Sequence, residues 1–324
     1  MKKGLLARIA ATMAVPLLLA GCMLNEEPSM DVSAGSLAKA GDLSGVQLAV
    51  GGKEFTEQLV LCEITAQALE SAGAEVERSC GLTGSSSTRA ALNSGDIDMY
   101  WEYTGTGWAT YLGESNPISD PNKLYHAVAS RDKRQNGITW LDPAPANNTY
   151  ALAASRETAN KLGVTSLSDY AALAQRNPEQ ASFCGAAEFF GRSDGWPGVQ
   201  KKYRVTLPQS EVSELVAGAI YDSIDKADPC EFGEVFATDG RIEALDLTVL
   251  EDDRNFFIAY NPAVTVKSSV LKKHPQIAEV LEPVSSALTD ATLQQLNARV
   301  DVQGATPEQT AHDWLVKKGF VGAE

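Results

Sequence analysis

The sequence predicts an α/β protein that contains two successive α/β units. Between residues 46 and 101, apolar residues follow the order strand, helix, strand, helix, strand, which is typical of a parallel sheet with covering helices. Elements of the same kinds follow from Tyr150 onward. The 324 residues, of which 44% are hydrophobic, are enough to form two lobes or two domains.

The N-terminus predicts export and a lipid anchor. Three basic residues precede an apolar run from residue 9 to residue 20, which is too short to span a bilayer. The run leads into Leu19-Ala20-Gly21-Cys22, which resembles a bacterial lipobox; an ordinary signal peptide beside a coincidental cysteine is the alternative. We therefore predict a lipoprotein signal peptide over residues 1–21, a lipid on Cys22, and a mature protein on the extracytoplasmic face of the cell membrane.

The charge of the chain limits its partners. The formal net charge is −15, and it becomes −18 when the three basic residues of the signal peptide are removed. An acidic surface of this kind disfavours binding to nucleic acid and to anionic bilayers. We expect a monomer that meets the membrane only through its lipid, since no other stretch is apolar enough for a transmembrane helix.

The first unit begins after a predicted tether. Residues 22–44 are small, polar and without pattern, which is typical of a flexible tether. The first strand covers residues 46–50, and apolar residues at helical spacing predict a helix from Phe55 to Leu69. Lys53 lies in the turn between them, beside a helix N-terminus whose free amides attract anions. A solvated surface lysine is the alternative.

The stretch GDIDMYWEYTGTGW, residues 95–108, carries the first functional signal. A helix is predicted to end at Gly95, and the alternating residues 96–101 predict a strand. This strand would deliver Tyr103 and Thr106 to its C-terminal end, where open α/β sheets place their ligands. A ring and a hydroxyl near glycines suit a ligand with a π-face, whereas the simpler interpretation is two rings in the core.

The second unit follows two prolines that mark a chain crossing. Its predicted elements are a strand from Tyr150, a helix at 166–175, a strand at 181–184, a loop with Arg192, a short helix opened by Pro197, a helix at 213–226, and strands at 231–236 and 247–250. Residues 256–266 are predicted to return to the first unit. The last helix opens with the capping pattern Thr306-Pro307-Glu308-Gln309.

The sequence shows no catalytic constellation. It contains no GxSxG, HExxH, P-loop or GxGxxG motif, and its three histidines lie in unrelated segments. Carboxylate pairs such as Glu57 with Glu63, or Asp252 with Asp253, are interpreted as solvated faces. We therefore predict a protein that is not an enzyme and that uses no cofactor and no metal.

A set of rings and cations at segment ends forms the candidate site. If they converge, the rings would surround a quaternary ammonium, each contributing about 0.5–2 kcal/mol. Arg192 and Lys53 would hold a carboxylate, so that the site would suit a small betaine. The candidate residues are Lys53, Tyr103, Thr106, Tyr150, Arg192, Phe236 and Tyr260.

Several motifs together resemble one family. The motifs are GGKEFTEQ, GDIDMYWEYTGT, DPAPANNTYAL, GRSDGWPG, ATDGRI with LTVLEDD, and LNARVDVQGATPEQTAHDWL. Over residues 47–320 the chain is similar to the osmoprotectant substrate-binding proteins of ABC transporters, which bind glycine betaine, choline or carnitine. The resemblance implies a two-lobe periplasmic-binding-protein fold of type II, in which the lobes close on the ligand about a hinge.

The resemblance also implies a role for each candidate residue. Tyr103, Tyr150 and Tyr260 match cage tyrosines of the family. Phe236 stands where the family commonly has tyrosine, so the ring is kept and the hydroxyl is lost. The remaining candidates match carboxylate contacts, namely Lys53, Thr106 and Arg192.

Lobe bounds and disulfides follow from the same resemblance. It implies a first lobe at 45–147 and 258–324, and a second lobe at 148–257. Beyond Cys22 the chain has four cysteines, which permit three pairings, and four separate thiols are the alternative. The order along the chain and the lobe assignment favour one bridge in each lobe, Cys62 with Cys80 and Cys184 with Cys230.

The sequence therefore predicts a lipid-anchored binding protein that presents a betaine-type solute, above all glycine betaine, to the permease subunits of an ABC importer. Choline, carnitine or an ergothioneine-like compound are alternative ligands. A secreted enzyme or a sensor module on the same scaffold are alternatives of a different class, because a fold does not determine function.

Overall fold

The computed structural model describes residues 32–114 and 116–323, which form two five-stranded sheets, one two-stranded pairing and covering helices. The strands are β1 (Ser33–Ala34), β2 (Gln47–Lys53), β3 (Glu75–Leu82), β4 (Met99–Tyr103), β5 (Ile138–Trp140), β6 (Tyr150–Ser155), β7 (Phe183–Gly185), β8 (Val212–Glu214), β9 (Phe232–Phe236), β10 (Leu247–Val249), β11 (Pro262–Lys267) and β12 (Val321–Gly322).

The helices lie between and after these strands. They are α1 (Thr56–Ser71), α2 (Gly84–Ser94), α3 (Thr104–Thr106), α4 (Pro121–Asn136), α5 (Arg156–Leu162), α6 (Leu167–Arg176), α7 (Ala187–Gly191), α8 (Trp196–Tyr203), α9 (Ala217–Lys226), α10 (Arg241–Ala244), α11 (Ser268–Lys273), α12 (Gln276–Ala287), α13 (Asp290–Asp301) and α14 (Pro307–Lys317). Shorter helical turns cover Leu37–Lys39, Gly107–Tyr111, Pro178–Ala181 and Gln209–Glu211.

The first sheet has the strand order β3-β2-β4-β11-β5. β2 is parallel to both β3 and β4, as the alternation of strands and helices predicted. β11 is antiparallel to β4 and to β5, so the segment predicted to return to the first unit does so. β4 is buried along its whole length, because one of its faces packs with residues of α1 and the other with residues of α4.

The second sheet has the strand order β10-β6-β9-β7-β8. β6 is antiparallel to β9 and β10, whereas β7 is parallel to β8 and β9. In the register of β6 with β9, Tyr150 lies directly opposite Phe236. This pairing places two candidate residues side by side at the end of the sheet.

The chain passes between the two sheets twice. It leaves the first sheet after β5, forms all of the second sheet from β6 to β10, and returns at β11. This discontinuous path matches the two-lobe arrangement that the sequence predicted. The predicted limits at residues 147, 148, 257 and 258 fall in these two crossings and stay a prediction.

Part of the predicted tether packs against the domain. β1 pairs with β12, and Leu37 and Leu43 are buried in the cluster that contains α1 and α14. The tether prediction was therefore wrong from residue 33 to residue 43, because two isolated leucines show no periodicity in a sequence. The signal peptide, Cys22 and the tether up to residue 31 lie outside the described residues.

Local predictions were confirmed at several helix ends. Gly95 adopts the left-handed conformation that ends α2, and Ser166 with Asp169 forms a capping box that begins α6. Thr306 caps α14 by accepting a hydrogen bond from the Gln309 amide. The helix predicted at 213–226 begins only at Ala217, because the residues before it form β8 beside β7.

Two disulfides have the pairing that the sequence favoured. Cys62 on α1 bonds to Cys80 on β3, and Cys184 on β7 bonds to Cys230, which precedes β9. Each bridge therefore joins elements of one sheet and its helices. None of the helices within residues 32–114 or 116–323 combines the length and apolarity that crossing a bilayer requires.

Candidate ligand-binding site

A cavity of about 650 Å³ is lined by residues from both sheets. Its wall includes strand ends of the first sheet and of the second sheet, as expected for ligand sites in α/β proteins. All seven candidate residues lie on this wall, namely Lys53, Tyr103, Thr106, Tyr150, Arg192, Phe236 and Tyr260.

Five aromatic rings form a continuous row along the cavity. In order they are Tyr103, Phe55, Phe236, Tyr150 and Tyr260, and successive ring centroids are 6.2, 5.1, 5.4 and 5.5 Å apart. Phe55 stacks between two neighbours, while the last pair meets edge to face. The row therefore places five aromatic side chains on the wall of one cavity.

The sheets bring four of these rings together. Tyr103 ends β4, Tyr150 begins β6, and Phe236 ends β9. Tyr260 precedes β11 by two residues, and Pro262 of β11 pairs with Tyr103. The rings meet because each stands where a strand reaches the cavity.

The sequence analysis missed Phe55, which is the N-cap residue of α1. The apolar spacing of residues 55–69 indicates only that Phe55 lies on the apolar face of the helix. Its signal was its position, because it lies in the same strand-to-helix turn as Lys53. A side chain in this turn lies close to the ends of the strands, where the cavity is.

Glu57 is buried, so its interpretation as a solvated carboxylate was wrong. It is 2% exposed, because α1 is covered on most of its surface. It accepts hydrogen bonds from Tyr103 Oη and Asn148 Nδ2 on one oxygen, at 2.8 and 2.9 Å, and from Thr238 Oγ1 and Asn297 Nδ2 on the other, at 2.5 and 3.1 Å. Burial raises the pKa of Glu57, and these four donors act in the opposite direction.

Lys53 is buried and already paired. Its Nζ lies 2.7 Å from Glu102 Oε1, and neither side chain has more than 4% of its surface exposed. Glu102 also accepts hydrogen bonds from Tyr100 Oη at 2.9 Å and from Tyr111 Oη at 2.5 Å. The Lys53 ammonium lies 5.2 Å from the ring centroid of Tyr103, so its charge stays close to the row of rings.

Arg192 forms buried ion pairs with carboxylates of the protein. Its Nε and Nη2 donate to the two oxygens of Asp194 at 2.8 and 2.5 Å, and its Nη1 donates to Glu188 Oε1 at 2.7 Å. Nη2 also lies 3.3 Å from Thr106 Oγ1, and the guanidinium lies 5.6 Å from the ring centroid of Tyr150. The guanidinium is thus largely occupied by carboxylates of the protein itself.

Glu188 connects the second sheet to the first. Its carboxylate accepts hydrogen bonds from Ser85 N and Ser85 Oγ at 3.0 and 2.6 Å. Burial raises the pKa of Glu188, but the charges of Lys53 and Arg192 and the bonds from Ser85 outweigh it and hold the pKa at about 2. Glu188 is therefore an anion at physiological pH.

Glu234 is a second buried carboxylate on the cavity wall that the sequence analysis missed. It lies on β9, is 3% exposed, and accepts one hydrogen bond from Ala186 N at 2.7 Å. Burial raises its pKa to about 8, with a smaller increase from the charge of Glu188 and a decrease from that of Arg192. The sequence does hold one indication of this role. Glu234 is an acidic residue on the same face of β9 as Phe232 and Phe236.

The cavity wall is more acidic than basic. Within the described residues, no group of three or more potential metal-binding side chains is placed to hold an ion. The wall suits an organic cation that stacks on rings. Its acidic residues are Glu54, Glu57, Glu188, Glu214, Glu234, Asp239 and Asp301, and its basic residues are Lys53, Arg192 and Arg241.

A family of transport proteins matches most of the chain. The family model OpuAC, described as the substrate binding domain of an ABC-type glycine betaine transport system, matches residues 46–317. The chain belongs to this family. Its members are substrate-binding proteins of transporters and not enzymes, as the sequence predicted.

Individual binding proteins are similar over most of the chain. A glycine-betaine-binding protein of Pseudomonas aeruginosa is 38% identical, over 89% of this chain and 93% of its own length. An ergothioneine transport permease and binding protein of Helicobacter pylori is 33% identical, over 84% of this chain and 48% of its own length. The structure of apo YehZ from Escherichia coli has 33% identity and a TM-score of 0.63, with 85% of this chain and 99% of that chain covered. The two-lobe fold is thereby confirmed.

We expect the four donors on Glu57 to make it important for the stability of the binding protein. Replacing Glu57 by Gln converts one acceptor oxygen into an amide donor, so two of the four donors lose their acceptor whichever oxygen is changed. The free energy of unfolding should fall by about 1–3 kcal/mol, as measured by urea denaturation.

Glu63→Gln on the same helix is the matched control. Glu63 accepts a hydrogen bond from Arg78 Nε at 3.1 Å in a partly exposed pair. Loss of this pair should lower the free energy of unfolding by about 1 kcal/mol or less. Equal losses in the two variants would contradict the role assigned to Glu57.

Proposed function

We propose that the protein is the lipid-anchored, extracytoplasmic receptor of an ABC importer and that it captures a quaternary-ammonium compatible solute. The observation that carries this proposal is the row of five rings in the cavity, from Tyr103 to Tyr260. The receptor presents the solute to permease subunits and performs no chemistry on it.

A quaternary ammonium would explain the row of five rings on the wall. Its methyl groups offer no N–H donor, so hydrogen-bonding side chains cannot recognise its charge. Aromatic faces attract it by cation–π interaction, at about 0.5–2 kcal/mol for each ring. In this proposal Tyr103, Tyr150, Phe236 and Tyr260 form the cage, and Phe55 adds a fifth ring.

Glycine betaine is the ligand that the family and its similar members favour. Its carboxylate would face Lys53, Thr106 and Arg192, the residues that match carboxylate contacts. Lys53 has three N–H donors and gives one hydrogen bond to Glu102, so donors remain for a ligand.

Choline is a second candidate, and one specific observation favours it. Lys53 and Arg192 are already paired with Glu102, Asp194 and Glu188. A cation without a carboxylate would leave these ion pairs intact, whereas a betaine must add a third carboxylate beside Arg192.

Isothermal calorimetry on the protein from residue 23 onward tests the proposal, with glycine betaine, choline, carnitine and ergothioneine as ligands. At least one should bind with a Kd near 1 μM or tighter, which corresponds to about 8 kcal/mol. Phe236→Ala should weaken this binding about 5- to 30-fold, because one ring contributes about 1–2 kcal/mol.

Phe236→Tyr is the matched control, since it keeps the ring and should retain most of the affinity. Absence of binding to all four compounds would contradict the proposed ligand class. Wild-type affinity in Phe236→Ala would remove this ring from the cage.

The lipid anchor is tested by Cys22→Ser. Without the thiol no lipid can be attached, so the variant should move from the membrane fraction to the soluble fraction in cells, as followed by immunoblotting. A Glu243→Gln variant changes an exposed residue, keeps Cys22 and both disulfides, and should stay in the membrane fraction. Membrane retention of the Cys22→Ser protein would contradict lipidation at this residue.

A further inference from the structure

The cage and the ion pairs do not account for Glu234. This carboxylate lies on the cavity wall within the second sheet and is 3% exposed. Its Oε2 accepts the hydrogen bond from Ala186 N at 2.7 Å. The described residues make no other hydrogen bond to Glu234.

The nearby cations do not pair with Glu234. The Nε and Nη2 groups of Arg192 bind Asp194, and its Nη1 group binds Glu188. Lys53 binds Glu102. Ala186 N is thus the one protein donor to Glu234 within the described residues, and a ligand in the cavity can supply a further hydrogen-bond partner to this carboxyl group.

The position of Glu234 relative to the rings suits contact with a ligand. Glu234 and Phe236 are two residues apart on β9, so their side chains lie on the same face of the sheet, about 7 Å apart along the strand. Phe236 is the middle ring of the row. A solute whose ammonium group lies against Phe236 therefore has its next substituent within reach of Glu234.

We propose that Glu234 contacts the ligand directly and selects a quaternary ammonium compound that carries a hydroxyl group, of the choline or carnitine type. This inference rests on the proposed function and narrows its ligand class. A hydroxyl both donates and accepts a hydrogen bond, whereas a simple betaine carries an acceptor only.

The protonation of Glu234 supports a hydroxyl in particular. Because burial raises its pKa to about 8, both the protonated and the ionised forms exist close to neutral pH. A protonated Oε1 donates and an ionised Oε1 accepts, and a hydroxyl pairs with either form. A ligand that carries an acceptor only can pair with the protonated form but offers no donor to the ionised form.

Ligand pairs that differ only in the hydroxyl test this proposal. Choline is compared with ethyltrimethylammonium, and carnitine with 4-trimethylammoniobutanoate, which lacks only the hydroxyl. Calorimetry on the wild-type protein should give at least ten-fold tighter binding for the hydroxyl compound of one pair. This comparison needs no variant.

Three variants assign the preference to Glu234. Glu234→Met has no strong hydrogen-bonding group and should reduce the preference to less than about two-fold. Glu234→Gln keeps an amide that can pair with a hydroxyl and should retain part of it. Glu243→Gln changes an exposed glutamate that does not line the cavity and should leave the preference unchanged. Thermal unfolding checks that each variant is folded.

The outcomes separate this inference from the proposed function. Equal affinities within both pairs, binding of glycine betaine alone, or a preference that persists in Glu234→Met would overturn the role of Glu234 and leave the receptor function in place. A wild-type protein that binds no quaternary ammonium compound at all would overturn the proposed function itself.

Discussion

The Glu57 carboxylate is the interaction on which the arrangement around the cavity depends. It joins one ring of the row, Tyr103, to Asn148 at the first chain crossing, to Thr238 beyond β9, and to Asn297 on α13. These four donors come from segments far apart in the sequence, and one of them, Tyr103, belongs to a strand. A single buried acceptor therefore holds one ring of the row against the first chain crossing, the turn after β9 and α13.

The charges near the cavity are balanced mostly within the protein. Lys53 and Glu102 form one buried pair, while Arg192 lies between Asp194 and Glu188. These ions satisfy each other beside the row of rings. The Ser85–Glu188 contact joins α2 of the first unit to α7 of the second unit beside these rings.

The strand ends were predictable from the sequence, and the buried polar groups were not. Local patterns located β4, β6 and β9. The same patterns gave, as rings and cations at segment ends, the seven candidates that the structure places on one cavity wall, and the family motifs then assigned a role to each. The periodicity of apolar residues identifies one buried side of a helix. It does not show that other elements also cover the polar side of α1, so the sequence predicted a solvated Glu57. Glu234 sits alone in an apolar strand, and the partners of Arg192 depend on tertiary distances that no spacing encodes.

In the proposed complex a quaternary ammonium group lies against the row of rings from Tyr103 to Tyr260. An anomalous diffraction experiment can locate this group. Crystals are grown with the trimethylarsonium analogue of the ligand that binds, and data are collected at the arsenic edge. The account predicts one arsenic peak within about 6 Å of the ring centroids of Phe236, Tyr150 and at least one further cage ring. An arsenic peak elsewhere in the cavity, or on the outer surface alone, would contradict it.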